Sequence, residues 1–326
     1  MKTGYYAAHT RALKEELGEA IERECLRSLH RKRPWRHFAV LARQCLLLAV
    51  CLLGIVRFRD TPFWMVFSAL VGLTVFNFTV LLHEVLHGLV FARSHAGASR
   101  ALELLYSIPS GISASQFTRW HLDHHAELGS PVGDPKRHHL SPKVNRRWYK
   151  ALYFTPALFF IYFRAAARES ATYPEDLRRR IALERGLATL FQLGTLSALW
   201  ILAGFEYAAK LYLFPVFIVF PVAFALNRLG QHYDVRQQDP AQWSTLVKPS
   251  WFWDFAYLWS NYHLEHHYFP GVPFYNLPKL HQALRPFFAR HNMVARGYGR
   301  LLFHYLVLNK APHTDWELPP SPSPVL

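Results

Sequence analysis

The sequence predicts an all-α integral membrane protein. Four transmembrane helices form two hairpins, interfacial helices lie between them, and a histidine-rich, metal-binding cap covers the cytoplasmic side. Three observations carry this expectation. Four apolar runs are long enough to cross a bilayer, which takes about 20 helical residues. Basic residues crowd on one side of those runs. Histidines recur in three tight clusters, all on that same side.

The 326 residues are 51% hydrophobic yet carry a net charge of +15, which fits a chain whose apolar and basic parts are segregated. Residues 1–37 read as a cytoplasmic amphipathic segment. Leu13, Leu17, Ala20, Ile21 and Cys25 make an apolar stripe suited to a solvated or membrane-surface helix. Arg31-Lys32-Arg33 then precede an apolar run that begins too late, and lacks the small-residue cleavage site, for a signal peptide. Residues 38–310 read as the membrane domain. The first span runs from Phe38 to Val56, with Arg43 and Gln44 near its start placed to snorkel or to face a neighbouring helix. The second runs from Phe63 to Leu82, the third from Gly186 to Gly204, and the fourth from Tyr207 to Leu226, where Pro215 and Pro221 predict a bend. Residues 101–115 and 151–163 are apolar but short, so they read as re-entrant or interfacial. The proline-rich stretch 311–326 reads as a disordered tail.

Charge sets the expected orientation. Lysine and arginine number 9 in residues 1–37, 15 in 83–185 and 9 in 227–326, against 3 in the two opposite loops. Both termini and the histidine clusters are therefore expected to be cytoplasmic. Arginine outnumbers lysine 27 to 10, a hint of a GC-rich genome and nothing more, and a bacterial inner membrane is the expected location. The basic residues are spread along the chain beside apolar runs, which argues against nucleic-acid binding. Cys25, Cys45 and Cys51 are too few and too scattered for a disulfide framework or a thiolate metal site.

The chemistry lies in the histidines. The pattern HxxHH occurs twice, at His121, His124 and His125 and at His263, His266 and His267, where 19 histidines placed at random would give about 0.06 matches. His83 and His87 stand at i, i+4 at the end of the second span. Alone, His83-Glu84-Val85-Leu86-His87 matches the HExxH of an intramembrane zinc protease, but that enzyme has no use for six further clustered histidines. A histidine-rich metal transporter would need polar residues along its spans, and beyond Arg43, Gln44 and Gln192 these offer few. Eight histidines are too many for one ion. Two ions with about four ligands each would absorb them and leave positions open for a small molecule, and iron with open positions suits dioxygen. His232, just after the fourth span, is a ninth ligand candidate. Asn227, Gln231, Glu84, Asp123, Glu265 and Asn261 are candidates to hold ligand rings or a metal-bound water. Trp251, Phe255 and Trp259 fall at i+4 steps leading to His263, as a tunnel wall or an interfacial aromatic belt. His138, His139, His281 and His291 lack ligand spacing and read as surface or packing residues. The basic stretch Lys136–Lys150 reads as a solvated or headgroup-facing surface, or as a dock for an acidic electron carrier.

HxxxH, HxxHH and HxxHH set around two hairpins resemble the membrane fatty acid desaturase and hydroxylase superfamily, over about Phe63 to Arg290. The most specific match is His266-His267-Tyr-Phe-Pro-Gly-Val-Pro-Phe-Tyr-Asn-Leu-Pro-Lys-Leu-His281, which is similar to the third box and its extension in acyl-lipid desaturases. Gly88 behind the first box and Asp134-Pro135 after the second also match. The resemblance implies two iron ions that use dioxygen and two electrons to attack an unactivated C–H bond of a fatty acyl chain, carried by a lipid or a thioester. It implies the eight box histidines as ligands, with His232 matching an extra one. Ligand spacing leaves open an oxygen-inserting relative: a carotenoid ketolase or hydroxylase, or an alkane or acyl hydroxylase. The chain has neither a His-Pro-Gly-Gly haem signature nor a cysteine set for an iron–sulfur cluster, so electrons are expected from a separate ferredoxin or small haem protein with its reductase.

Overall fold

The computed structural model describes residues 4–313, and most of the tail expected to be disordered lies outside them. Among the described residues the regular structure is helical. In chain order it comprises α1 (Tyr5–His9), α2 (Arg11–Ala20), α3 (Arg23–Leu29), α4 (Pro34–Arg57), α5 (Trp64–Leu86), α6 (Ala96–Ser107), α7 (Ala114–Glu127), α8 (Arg147–Ala151), α9 (Ala157–Ser170), α10 (Glu175–Ala203) and α11 (Phe205–His232). There follow α12 (Trp251–Ala256), α13 (His263–Tyr268), α14 (Leu277–Arg290) and α15 (Tyr298–Leu302). Four of these, α4, α5, α10 and α11, have the length and apolar composition to cross a membrane. They coincide with the four expected spans, with α10 extended at its N-terminus.

Local chemistry sets their ends. Pro34 opens α4, where its missing N–H costs no helical hydrogen bond. Glu175 and Asp176 open α10 against its positive dipole end, and Gly204 closes it at φ 90°. Proline leaves a gap in the helical hydrogen-bond ladder. The expected bend in the fourth span takes the form of a change of winding: Pro215 sits inside a π-helical run, Ala209–Val219, and Pro221 falls in the first turn of the α-helical part that follows.

In a bilayer, helices associate through close packing rather than water exclusion, so small residues decide where they touch. A Cβ on Gly54 of α4 would come within 2.6 Å of the Phe67 ring of α5. A Cβ on Gly72 of α5 would come within 2.5 Å of the Pro215 carbonyl and of Val219 on α11. These contacts make α5 the central, most enclosed span. Gln44 on α4 faces it and accepts a hydrogen bond from Asn77 at 3.4 Å, while the Arg43 guanidinium covers the Phe255 ring at 4.8 Å. By contrast, only 6% of the apolar window of α10 is buried. Polar contacts hold α10 in its N-terminal half: Glu184 accepts from the Ser113 hydroxyl at 2.6 Å and the Ser115 N–H at 2.8 Å.

The N-terminal stripe corrects its sequence reading. Leu13, Leu17, Ile21 and Leu29 are buried in the same core as α5 and the third histidine box, so the stripe faces protein rather than solvent or lipid. Glu16 meets His291 at 2.9 Å, and Asn276 donates to the Leu29 carbonyl at 2.8 Å. The chain also runs without a break through the boundary expected at residue 37, inside α4.

Gly72→Val should drive α5 and α11 apart. We expect a destabilisation of about 1–3 kcal/mol from overpacking, read as a lowered melting temperature in detergent micelles.

Candidate metal centre

Four helices deliver nine imidazoles to one place. The last turn of α5 supplies His83 and, at its end, His87; α7 supplies His121, His124 and His125; α11 ends on His232; α13 supplies His263, His266 and His267. They sort into two groups. His83, His87, His121, His125 and His266 form one, and His124, His232, His263 and His267 form the other, with candidate ligand atoms within 4.8 Å of one another in each. The i, i+4 pair of each box stays together because those side chains stack on one helical face. The third histidine of each HxxHH lies one helical step away and turns to the other group. His124 leaves the second box this way and His266 the third. Each HxxHH therefore bridges two sites, a division the sequence pattern leaves undetermined.

The ring tautomers test whether these groups suit a metal. His124 Nδ1 lies 2.9 Å from the Asp134 carboxylate, and His232 Nδ1 lies 3.1 Å from the Trp243 carbonyl. Both oxygens accept, so each ring carries its proton on Nδ1 and presents a bare lone pair at Nε2. Those two Nε2 atoms face each other at 3.0 Å. Opposed lone pairs repel at that distance unless a cation lies between them. Nitrogens bound cis, about 2.1 Å from one ion, would be separated by about that much. In the first group, His121 Nε2 approaches His87 Nε2 at 3.0 Å and His125 Nε2 at 2.8 Å. His83 Nε2 is buried among them without a hydrogen-bond partner. Burial holds His121, His125, His263, His266 and His267 well below the usual imidazole range, in the neutral form a metal requires. The donor set fits two metal ions.

The residues around the rings only partly match expectation. Asp134, matched with Pro135 only as part of the family pattern, and Lys136, read only as part of a basic stretch, are the supports whose contacts with the rings the sequence did not show. Burial pushes the Asp134 carboxyl up, but His124, His232 and Lys136 outweigh it and hold the group well below the carboxylate range. Lys136 Nζ lies 2.9 Å from His121 Nδ1, and burial, with Arg228 adding, brings its pKa down to about 7. Glu84 accepts the Phe274 N–H at 3.0 Å and lies 3.7 Å from His83 Nδ1, between the first box and the third-box extension. Glu265 pairs with His281, so this histidine is a buried tie between α13 and α14 rather than a surface group. Asp123 turns away from the rings to Arg119 at 2.9 Å, and Asn261 to Asp254 at 2.9 Å. Asn227 and Gln231 bond each other at 2.7 Å on the wall of a cavity beside His263 and His266. His139 meets Glu169 at 3.2 Å, and nothing is described of the His138 side chain.

That cavity, of about 100 Å³, touches His83, His121, His263 and His266. It adjoins a second of about 290 Å³, and Thr79, Phe117, Tyr162 and Phe224 line both. The second lies among α5, α9, α10 and α11 and is almost wholly apolar, with Phe159, Leu196 and Val216 in its wall. An apolar path thus leads from the spans to the histidines. The aromatic ladder does not line it. Continuing the i+4 steps needs one helix, but α12 ends at Ala256 and Leu258 and Trp259 take left-handed φ of 47° and 62°. Trp251 is 82% exposed and Phe255 40%. The basic stretch is likewise not one free surface. Lys136 lies against the histidines, Arg137 and Lys150 are buried, and Lys150 Nζ donates to the Tyr305 and Ala311 carbonyls at 2.7 Å each.

The model of a family described as fatty acid desaturase matches residues 60–299. The human sphingolipid delta(4)-desaturase/C4-monooxygenase DES2 is 28% identical over 283 residues, 83% of this chain and 79% of that protein. Its bovine counterpart is 27% identical over 282 residues, with the same coverage. The Drosophila melanogaster sphingolipid delta(4)-desaturase DES1 is 24% identical over 239 residues, 69% of this chain and 68% of that protein.

The Asp134 support can be tested on metal alone. Asp134→Ala frees the His124 ring and should weaken metal binding by about 10–100-fold, the usual effect of losing a ring-orienting carboxylate. Competition against a chelator of known affinity measures it.

Proposed function

This chain belongs to the fatty acid desaturase family, and from that premise we propose that it introduces a double bond into the aliphatic chain of a membrane lipid, with a diiron centre held by the nine histidines. The single observation that carries this reading is the apolar path from among the spans to the two histidine groups. Membership makes the chain an oxidoreductase of lipid metabolism, and its four apolar helices make it a membrane protein. A saturated chain gives an enzyme no polar handle near the reacting carbons. Position must come from apolar burial, at about 0.8 kcal/mol for each methylene.

His83, His87, His121, His125 and His266 would hold one iron and His124, His232, His263 and His267 the other. When bound, the irons supply the dioxygen-dependent oxidation of an unactivated C–H bond. Overall, two hydrogens leave adjacent carbons, and dioxygen takes up these with two further electrons and two protons to give two waters. The protein's own part is positional. Asp134 and the Trp243 carbonyl hold two rings with Nε2 inward, while Phe117, Tyr162 and Phe224 form a wall that leads the chain toward the metals. No fused carrier motif is present in the sequence, so the electrons are taken to come from a separate ferredoxin or small haem protein. The charge bias favours a reading with both termini and the histidines on the cytoplasmic side.

The relatives' names supply the substrate to try first, a sphingolipid long chain, and a second outcome, insertion of oxygen. Expression in a host with simple lipids, with a compatible electron donor, should yield lipids lighter by two hydrogens on mass spectrometry. New hydroxyl or keto groups on lipids or pigments would select the oxygenase reading, and an unchanged profile would sink both. Alanine at His87, His125, His232 or His267 should abolish product while leaving the protein inserted in membranes.

A further inference from the structure

Two of the four ligands in the second group connect to the extreme N-terminus of the chain. His232 is oriented by the carbonyl of Trp243. The indole of Trp243 is itself confined on several sides. Its N–H donates to the Gln237 carbonyl at 2.8 Å. Against one side lies Gly129, at φ 85°, where a Cβ would come within 2.4 Å of the indole ring, so only glycine allows this approach. Tyr5 and Tyr6 lie against it as well, with ring centroids at 5.9 and 6.1 Å.

The segment carrying these tyrosines is latched to both boxes that feed the same group. The Gly4 N–H donates to Glu127 at 2.8 Å, at the end of the second-box helix α7. The Tyr6 hydroxyl donates to the carbonyl of His267, a ligand candidate in the third box, at 3.4 Å. The Thr10 hydroxyl, fully buried, donates to the Tyr6 carbonyl at 2.5 Å and closes the turn. Residues 4–10 thus bridge α7, α13 and Trp243, three of the pieces that shape the four-histidine group. None of these contacts reaches a histidine of the five-membered group.

We propose that Trp243 is the positioning residue of His232 and that residues 4–10 are the strap that clamps it, so that metal retention in the four-histidine group depends on the N-terminus of the chain. The assignment rests on reading the nine histidines as two metal sites. The strap keeps the Trp243 carbonyl aimed at His232 Nδ1 and the backbone of His267 in place. Without it, the Trp243 carbonyl shifts off His232 Nδ1, the imidazole loses that orienting acceptor, and the hold of the four-histidine site on its ion weakens. The other group keeps all five. A strap that merely stabilised the fold would affect both groups alike.

The test is selective iron loss. The full-length chain is loaded with Fe(II) alone, purified in detergent, and its iron counted by elemental mass spectrometry. Release to an excess of a ferrous chelator is then followed by absorbance. The full chain should hold two irons. A chain lacking residues 1–10 should release one iron about tenfold faster than the full chain, the lower end of what a lost ring-orienting contact costs, and the other at the original rate. Tyr5→Ala with Tyr6→Ala in the full chain keeps the backbone latch at Gly4 and should show the same split release, which covers the case in which the truncated chain does not fold. Unchanged release of both irons, or equal acceleration of both, would overturn the proposal. A full-length chain that binds no iron would instead strike the metal-site reading, so the two failures appear in different arms.

Discussion

Two imidazole nitrogens held lone pair to lone pair form the constraint on which the rest of this structure depends. His124 and His232 come from different helices, and each is committed to its tautomer by an oxygen that can only accept. Their Nε2 atoms are left facing each other at 3.0 Å, an arrangement with no favourable state unless a cation shares the two pairs. The surrounding fold keeps the rings from turning aside. Asp134 is buried and fixed, the indole of Trp243 is boxed in, and α7, α11 and α13 converge from separate parts of the chain.

The architecture of the spans follows from the same site. α5 must carry His83 and His87 up to the cluster, and it is the span most enclosed by its neighbours, meeting α4 at Gly54 and α11 at Gly72. α10 contributes no histidine, and its apolar window is almost unburied. The space between it and the bundle is the apolar cavity that leads to the histidine groups. Close packing where the histidines are delivered and open packing where the proposed lipid chain would enter thus coexist in one four-span unit.

Much of this was legible in the chain itself. The four spans are continuous apolar runs, and a bilayer accepts few other solutions for such segments. The box histidines stood out because i, i+3, i+4 spacing is rare by chance. What failed were inferences that assumed a helix or a surface. The ladder from Trp251 to His263 presumed one continuous helix, whereas Leu258 and Trp259 turn the backbone left-handed. The stripe at Leu13 and Leu17 was correctly amphipathic, but amphipathicity does not say whether lipid or protein covers it. Lys150 read as a surface group, and His281 as a surface or packing residue, because their partners, the Tyr305 and Ala311 carbonyls and Glu265, lie outside any local pattern.

The sequence by itself determined the chemistry and the membrane. Residue type and helical spacing dictate which side chains can ligate, and continuous hydrophobicity dictates which segments cross. Only the tertiary structure decided how the nine candidate ligands divide. A helix fixes the angle between neighbours at i+3 and i+4, so each HxxHH is bound to point in two directions, but what lies in each direction depends on helices far away in the chain. His124 finds His232, 108 residues on, and His266 finds His125, 141 residues back. Such pairings arise from packing, and no local period records them.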